Sequence, residues 1–346
     1  MKTPISLITT DWHLKETNIP EVTRAVEEEL ALAGKYGIRD VICLGDVFNS
    51  RTSQSQKLLT ALENILEKFV AANVNLWCIP GNHDKTDYTA DQSFLSVYKY
   101  HPNFFLLEKP AKIEMLGCDL YFVPFYQTDK WLNEFAGMEE PESGKKSILF
   151  SHTAMSGSIN NDGSTVENGI KPSMFKAFNK VFLGHYHNQQ QISRNIFHLP
   201  SLIQDNFGED EDKGITILYD DLSTELVRTT FVPYRDICIE ASTATRDDIN
   251  ALYQMDTNAA HWRVIVHGDR QAVAGAVNRE KLIKHGFAVK VKYSEVELTE
   301  AEEESAVLRE LTGDGIKEKF KSFCRDRGYD IDRGYKLLKE IMQWQE

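Results

Sequence analysis

Apolar residues in the first 85 positions alternate between two spacings. Short β-rich runs at Ile5–Thr9, Val41–Leu44 and Leu76–Ile79 read as buried strands. Between them, Val22, Ala25, Val26, Leu30 and Ala33 within Glu21–Tyr36 recur at helical spacing, and that segment stops at Gly37. Leu58, Leu59, Leu62, Ile65, Leu66 and Phe69 repeat the pattern within Gln56–Ala72. Short strands alternating with helices predict a parallel sheet covered on both faces. In such sheets ligands bind beyond the carboxyl ends of the strands. Each of the three strands here runs into a polar cluster: Asp11-Trp12-His13, Gly45-Asp46 and Gly81-Asn82-His83-Asp84.

From about residue 104 to 232 the strands shorten and helices thin out. Asp119–Phe125, Ser147–Phe150, Lys180–Leu183, Gly214–Tyr219 and Glu225–Phe231 predict a second sheet. Two of these again run into histidine, at Ser151-His152 and at Gly184-His185-Tyr186-His187. Val232-Pro233-Tyr234 marks a boundary, after which residues 235–298 read as a smaller α/β unit. A glutamate-rich stretch at Glu300–Glu304 precedes two amphipathic helices within Ile316–Trp344, whose apolar faces predict either folding back or docking onto another protein.

Net charge narrows the partners only a little. The chain carries −13, from 52 acids against 39 bases, which counts against a nucleic-acid binder that works by bulk attraction. An enzyme that meets phosphates through metal ions is still allowed, because carboxylate ligands add formal negative charge that the metals offset. No apolar run approaches the roughly 20 residues a bilayer span needs, and no secretory h-region follows Lys2. Five dispersed cysteines, among them Cys43, Cys78 and Cys238 in apolar segments, read as reduced core residues. Together these features predict a cytoplasmic protein that does not engage membranes.

Five histidines, two aspartates and an asparagine at the ends of five separate strands form a constellation that chance hardly supplies. Mixed carboxylate, imidazole and amide donors suit Mn, Fe or Zn better than Ca or Mg. The set is too large for one ion and about right for two, the arrangement that clamps a phosphoryl group. Gly45, Gly81 and Gly184 allow sharp turns that bring the next side chain toward such ions.

Asp11-x-His13, Gly45-Asp46, Gly81-Asn82-His83-Asp84, His152 and Gly184-His185-x-His187, in that order, resemble the signature of the calcineurin-like metallophosphoesterases. Asp46-Val47-Phe48 and the stretch Leu199-Pro200-Ser201 through Asn206-Phe207-Gly208-Glu209 to Lys213-Gly214 are further similar to SbcD-type double-strand-break repair nucleases, especially their bacteriophage recombination-endonuclease relatives. The resemblance implies an α/β fold, a four-layer αββα sandwich over residues 1–233. A small α/β capping domain over 234–298, in which Lys281, Lys284, Lys290 and Lys292 are candidate DNA contacts, and a helical tail over 299–346 would follow.

Carried over by motif, Asp11, His13 and His187 would hold one metal, Asn82, His152 and His185 the other, and Asp46 would bridge them. His83 would face the scissile phosphate, and Asp84 would orient His83 or cap the segment that follows. The implied cofactor is a pair of Mn2+ ions, with Mg2+ or another divalent transition metal as the substitute. The implied activity is DNA hydrolysis, alongside an SbcC-type SMC-like ATPase and as a homodimer, in the host cytoplasm if the chain is phage-encoded. The competing reading is a phosphoesterase of cyclic nucleotides or small phosphodiesters. One position departs from the pattern: Asn49 stands where many relatives carry a second active-site histidine.

Overall fold

The computed structural model describes residues 2–160 and 163–294. Its elements are, in chain order, β1 (Pro4–Thr9), α1 (Ile19–Tyr36), β2 (Asp40–Cys43), α2 (Gln56–Ala72), β3 (Asn75–Cys78), β4 (Phe104–Leu106), β5 (Ala111–Met115), β6 (Cys118–Val123), α3 (Thr128–Ala136), β7 (Ser147–His152), β8 (Lys180–Gly184), β9 (Gln190–Ser193) and β10 (Ile196–His198). There follow β11 (Gly214–Tyr219), β12 (Thr224–Arg228), β13 (Tyr234–Glu240), α4 (Arg246–Leu252), β14 (His261–Gly268), α5 (Arg270–Ala276), α6 (Arg279–His285) and β15 (Ala288–Tyr293). The amphipathic tail predicted beyond residue 299 lies outside the described residues. Among the described residues no helix is long and apolar enough to cross a membrane.

The two helices that set the first layer stop for local reasons. α1 ends at Gly37, whose φ of 69° is a left-handed cap that glycine adopts freely. Ser55 caps α2 by accepting a hydrogen bond from the Leu58 amide, and Asn73 closes it at φ 52°. Their buried stripes pack on the first sheet, which runs β12–β11–β1–β2–β3–β4. The second sheet runs β5–β6–β7–β8–β10–β9.

Side chains alternate across each strand, so every central strand feeds two cores. Leu7, Val41 and Leu76 face α1 and α2 with Ala25, Leu62 and Phe69. Ile8, Ile42 and Ile79 meet Leu120, Phe150 and Phe182 of the second sheet in the middle. Tyr121, Leu149 and Val181 bury the far face of that sheet under Trp131 of α3 and Phe175. The result is a four-layer αββα sandwich.

Two expectations about the fold are overturned. Gly214–Tyr219 and Thr224–Arg228 do not extend the second sheet; β11 pairs antiparallel with β1, and β12 pairs with β11. Strand β11 is buried along its whole length, so either sheet would have accepted its apolar face. The second sheet is completed instead by β5, β9 and β10. Cys238, read as core, is exposed, because strand alternation turns it outward while Ile239 is buried.

The described residues divide into two units. The first holds the described residues up to Cys238, with Asp247–Ile265 and Asn278–Lys290; the second holds Ile239–Arg246, Val266–Val277 and the described residues from Val291. In the first unit Tyr234 stacks on His261, with ring centroids 4.4 Å apart, and meets Phe207 edge-on. In the second, Gly268 runs at φ 148° against Ala241, where a side chain would collide with the Ala241 methyl.

Candidate metal centre

The parallel strands β1, β2 and β3 end side by side, and so do β7 and β8. The loops after β1 and β2 are then zipped together. The Asp11 amide donates to the Gly45 carbonyl (2.9 Å), the His13 amide to Asp46 (3.0 Å) and the Leu14 amide to Val47 (2.8 Å). Along that path Asp11, His13 and Asp46 take positive φ, at 52°, 43° and 51°, and His185, in the loop after β8, takes 94°. Left-handed backbone at a non-glycine residue costs of order 1 kcal/mol or more and persists where its surroundings overdetermine it. Gly184 permits the tightest approach, since a Cβ there would run into Thr10 Oγ1 and stand 2.9 Å from His152 Nδ1.

These turns gather every predicted ligand. Asp11, His13 and His187 offer donor atoms within 4.8 Å of one another; so do Asp46, His152 and His185, and His13, Asp46 and His83. His13 Nε2 lies 2.9 Å from His187 Nε2 and 3.7 Å from carboxylate oxygens of both Asp11 and Asp46. Asn82 Oδ1 sits 2.9 Å from His152 Nε2 and 2.8 Å from His185 Nδ1. Asp46 Oδ2 is 3.3 Å from His152 Nε2 and 3.7 Å from His13 Nε2, so one carboxylate faces both groups of donors.

The surrounding hydrogen bonds fit a metal pair. His152 Nδ1 donates to the Leu44 carbonyl (2.8 Å), and His187 Nδ1 donates to Glu209 Oε1 (2.6 Å). Each bond leaves the Nε2 lone pair turned into the cluster, the orientation a ligating imidazole requires. Charge agrees. Burial pushes the Asp11 and Asp46 carboxyls up, but the neighbouring histidines outweigh it and hold both well below the usual carboxylate range. In return those carboxylates, acting against burial, pull His13 and His152 up to about 9. The pocket therefore attracts positive charge. His185, buried beside His152, is pushed down to about 3 and stays neutral.

His83 stands at the rim, its ring 4.7 Å from that of His13. Its Nδ1 donates to the Asn49 carbonyl (2.5 Å), and its Nε2 accepts from the Arg51 guanidinium (2.7 Å). Burial, together with the Arg51 and His13 charges, lowers its affinity for a second proton. The expectation that Asp84 orients His83 is corrected by these contacts. Asp84 is fully buried, and its carboxylate accepts from the amides of Gly81 (2.9 Å), Phe48 (3.0 Å) and Val47 (3.3 Å). It ties the second and third strand-end loops together, and the backbone of Asn49 orients His83 instead. Asp46 adds to that frame by accepting from the His83 amide (2.7 Å).

Two supporting residues lie in the stretch that resembles the SbcD-type nucleases, where the motifs assign them no role. Glu209 accepts from His187 Nδ1, from Asn206 Nδ2 (2.6 Å) and from the Asp205 amide (3.1 Å). Buried Lys213 donates to the His187 carbonyl and to Asn188 Oδ1, both at 2.7 Å. Glu209 opens the acidic run Glu209-Asp210-Glu211-Asp212, and its burial is not visible from the sequence. The signal available was Lys213-Gly214 at the threshold of an apolar strand, an unusual place for an exposed lysine.

A sequence model of the family described as calcineurin-like phosphoesterase matches residues 6–189. The 244L protein of Invertebrate iridescent virus 6, a provisionally named phosphoesterase, is 24% identical over 217 residues, covering 60% of this chain and 73% of its own. The 078R protein of Invertebrate iridescent virus 3, named in the same way, is 21% identical over 301 residues and 82% of each chain. Among solved structures, a dimetal phosphatase from Danio rerio aligns with a TM-score of 0.42 and 10% identity, over 62% of this chain and 93% of its own.

Proposed function

The chain belongs to the calcineurin-like phosphoesterase family, and from that membership we propose that it is a DNA nuclease of the SbcD type, hydrolysing phosphodiester bonds with two Mn2+ ions. One observation supports the narrower reading. The stretch from Asn206 to Lys213, which carries the similarity to SbcD-type nucleases, is the one that holds His187 in place through Glu209 and Lys213. The divalent pair, when bound, supplies Lewis acidity and an acidified water. Asp11, His13 and His187 would hold one ion, Asn82, His152 and His185 the other, and Asp46 both.

The protein's own groups do the positioning. His83 is fixed by the Asn49 carbonyl with Nε2 turned to Arg51. A substrate phosphate that draws the Arg51 guanidinium onto itself frees Nε2 and, by its negative charge, favours uptake of a solvent proton there, which Nε2 then donates to the phosphate or the departing oxygen. Arg51 thereby takes up part of the place left by Asn49, whose side chain replaces the second histidine of many relatives.

Incubation of the purified chain with linear DNA, plasmid and bis-nitrophenyl phosphate, in Mn2+ or Mg2+, tests the reading. Mn2+-dependent cleavage of DNA is expected. Hydrolysis of the small ester alone would overturn the nuclease and leave a phosphoesterase of small diesters. The SbcC-type ATPase partner is tested separately, by co-purification with the full chain and with a chain ending at Glu304.

A further inference from the structure

We propose that Glu63, Glu67 and His101 form a second divalent-metal site, of the zinc class, on elements that take no part in the strand-end cluster. Glu63 and Glu67 are one turn apart on α2, so their carboxylates project from the same face. His101 comes from the turn that leads into β4. Its amide donates to the Tyr98 carbonyl (2.8 Å) and its own carbonyl accepts from the Phe104 amide (3.2 Å). The Tyr98 hydroxyl docks this turn on the same helix by donating to the Leu59 carbonyl (2.7 Å). The imidazole is therefore placed before any ion arrives.

His101 Nδ1 lies 2.9 Å from the Pro102 carbonyl, which can only accept, so Nδ1 carries the proton. Nε2 is then a lone pair. It is buried and has no hydrogen-bond partner, and the side chain is only 7% exposed. That lone pair faces Glu67 Oε1 at 3.3 Å and Glu63 Oε1 at 3.8 Å, all three atoms lying within 4.8 Å of one another. Acceptors gathered this closely favour positive charge among them.

A proton on Nε2 would supply it, yet at 3.3 Å Nε2 and Glu67 do not align as a hydrogen bond. Their spacing fits a shared ion better. Donors about 2.0–2.1 Å from a tetrahedral zinc are separated by about 3.4 Å. Two carboxylates and a neutral imidazole carry a charge of −2, which a divalent cation balances. The imidazole in the set favours Zn2+ over Ca2+ or Mg2+. Both glutamates are partly exposed, at 47% and 62%, which leaves room for water to complete the coordination. Such an ion would clip α2 to the turn that feeds the edge strand β4.

The test is zinc content. The full chain, His101→Ala and Glu67→Gln are each loaded with Zn2+, passed through gel filtration and assayed for zinc per chain. Each variant should hold one equivalent less than the parent, with bis-nitrophenyl phosphate hydrolysis unchanged within twofold. Equal zinc in all three would overturn the site, as would a loss of zinc that brings a loss of hydrolysis. A zinc-edge anomalous map of crystals of the parent chain gives a reading independent of the variants. Density between the three side chains supports the site, and its absence refutes it.

Discussion

Asp11 and Asp46 at the strand ends, and Glu29 on the inner face of α1, are equally cut off from solvent, at 1%, 2% and 0% exposure. Their charges are handled in opposite ways. Thr10 Oγ1 and the His185 amide donate to Asp11, the His83 amide donates to Asp46, and the surrounding histidines hold both acids ionised. Glu29 has neighbours such as Val26 and Leu30 on its stripe, and neither carboxylate oxygen has a hydrogen-bond partner. Burial alone pushes its pKa up to about 8. The desolvation cost is common to all three, so the difference lies in what was arranged around them. Where anionic oxygen is kept charged in the interior at the expense of strained backbone, the structure is prepared for a cation. Where it is left to take a proton, the side chain is part of the helix packing.

The largest effect should come from breaking the charged half of the comparison. Asp46→Asn removes the one carboxylate that faces both donor groups, and with it the pull that raises His13 and His152. Phosphodiester hydrolysis should fall by about 1000-fold or more, and both metal equivalents should be lost in elemental analysis. Normal metal content in the variant would remove Asp46 from its bridging role.

His83→Ala leaves all the buried acids in place and therefore separates charge from chemistry. Metal content should stay at the parental level while turnover drops about 100- to 1000-fold. Loss of metal instead would place His83 among the ligands, a grouping its distance to His13 and Asp46 permits.

A smaller effect is expected from Glu209→Ala, which acts one bond further out. His187 loses the acceptor that sets its tautomer, and a support of this kind contributes about 10- to 100-fold in metal affinity or activity. The measurement is the Mn2+ concentration at half-maximal activity, which should rise for Glu209→Ala and recover partly for Glu209→Gln. An unchanged value would make Glu209 a loop anchor only.

What could be read from the chain follows the range of each signal. The order β1–α1–β2–α2–β3 and the placement of the seven candidate ligands at strand ends were legible, because an apolar run followed by Asp, Asn or His is a local pattern. Partner choice for β11 was not, because an antiparallel strand buried on both faces satisfies either sheet, and its pairing with β1 spans some 200 residues. The role of Glu209, quoted above only as part of a resembling stretch, was not legible for a related reason. It lies 22 residues from His187 inside an acidic run, and only the folded loop shows that its carboxylate is buried. The role of Asp84 was misjudged because adjacency to His83 suggested contact, whereas the turn directs its side chain to the amides of Val47, Phe48 and Gly81.

The smallest effect on activity, none at all, is expected from the uncharged half of the comparison, which shows itself in stability instead. In the unfolded chain Glu29 titrates near the ordinary 4.5, and in the folded chain near 8. Below pH 4.5 both states hold the proton and burial of the neutral acid carries little penalty. Between pH 4.5 and 8 only the unfolded state releases its proton, so stability falls with rising pH, by up to about 1.4 kcal/mol per unit. Above pH 8 both states are ionised and the penalty is constant, of the order of a few kcal/mol. Glu29→Gln keeps the shape and removes the titration. The variant should match the parent near pH 4.5 in denaturant melts and become progressively more stable than it up to about pH 8.5. A stability difference that does not change across that range would mean that Glu29 has a partner when ionised, and that the contrast with Asp11 and Asp46 is not one of charge.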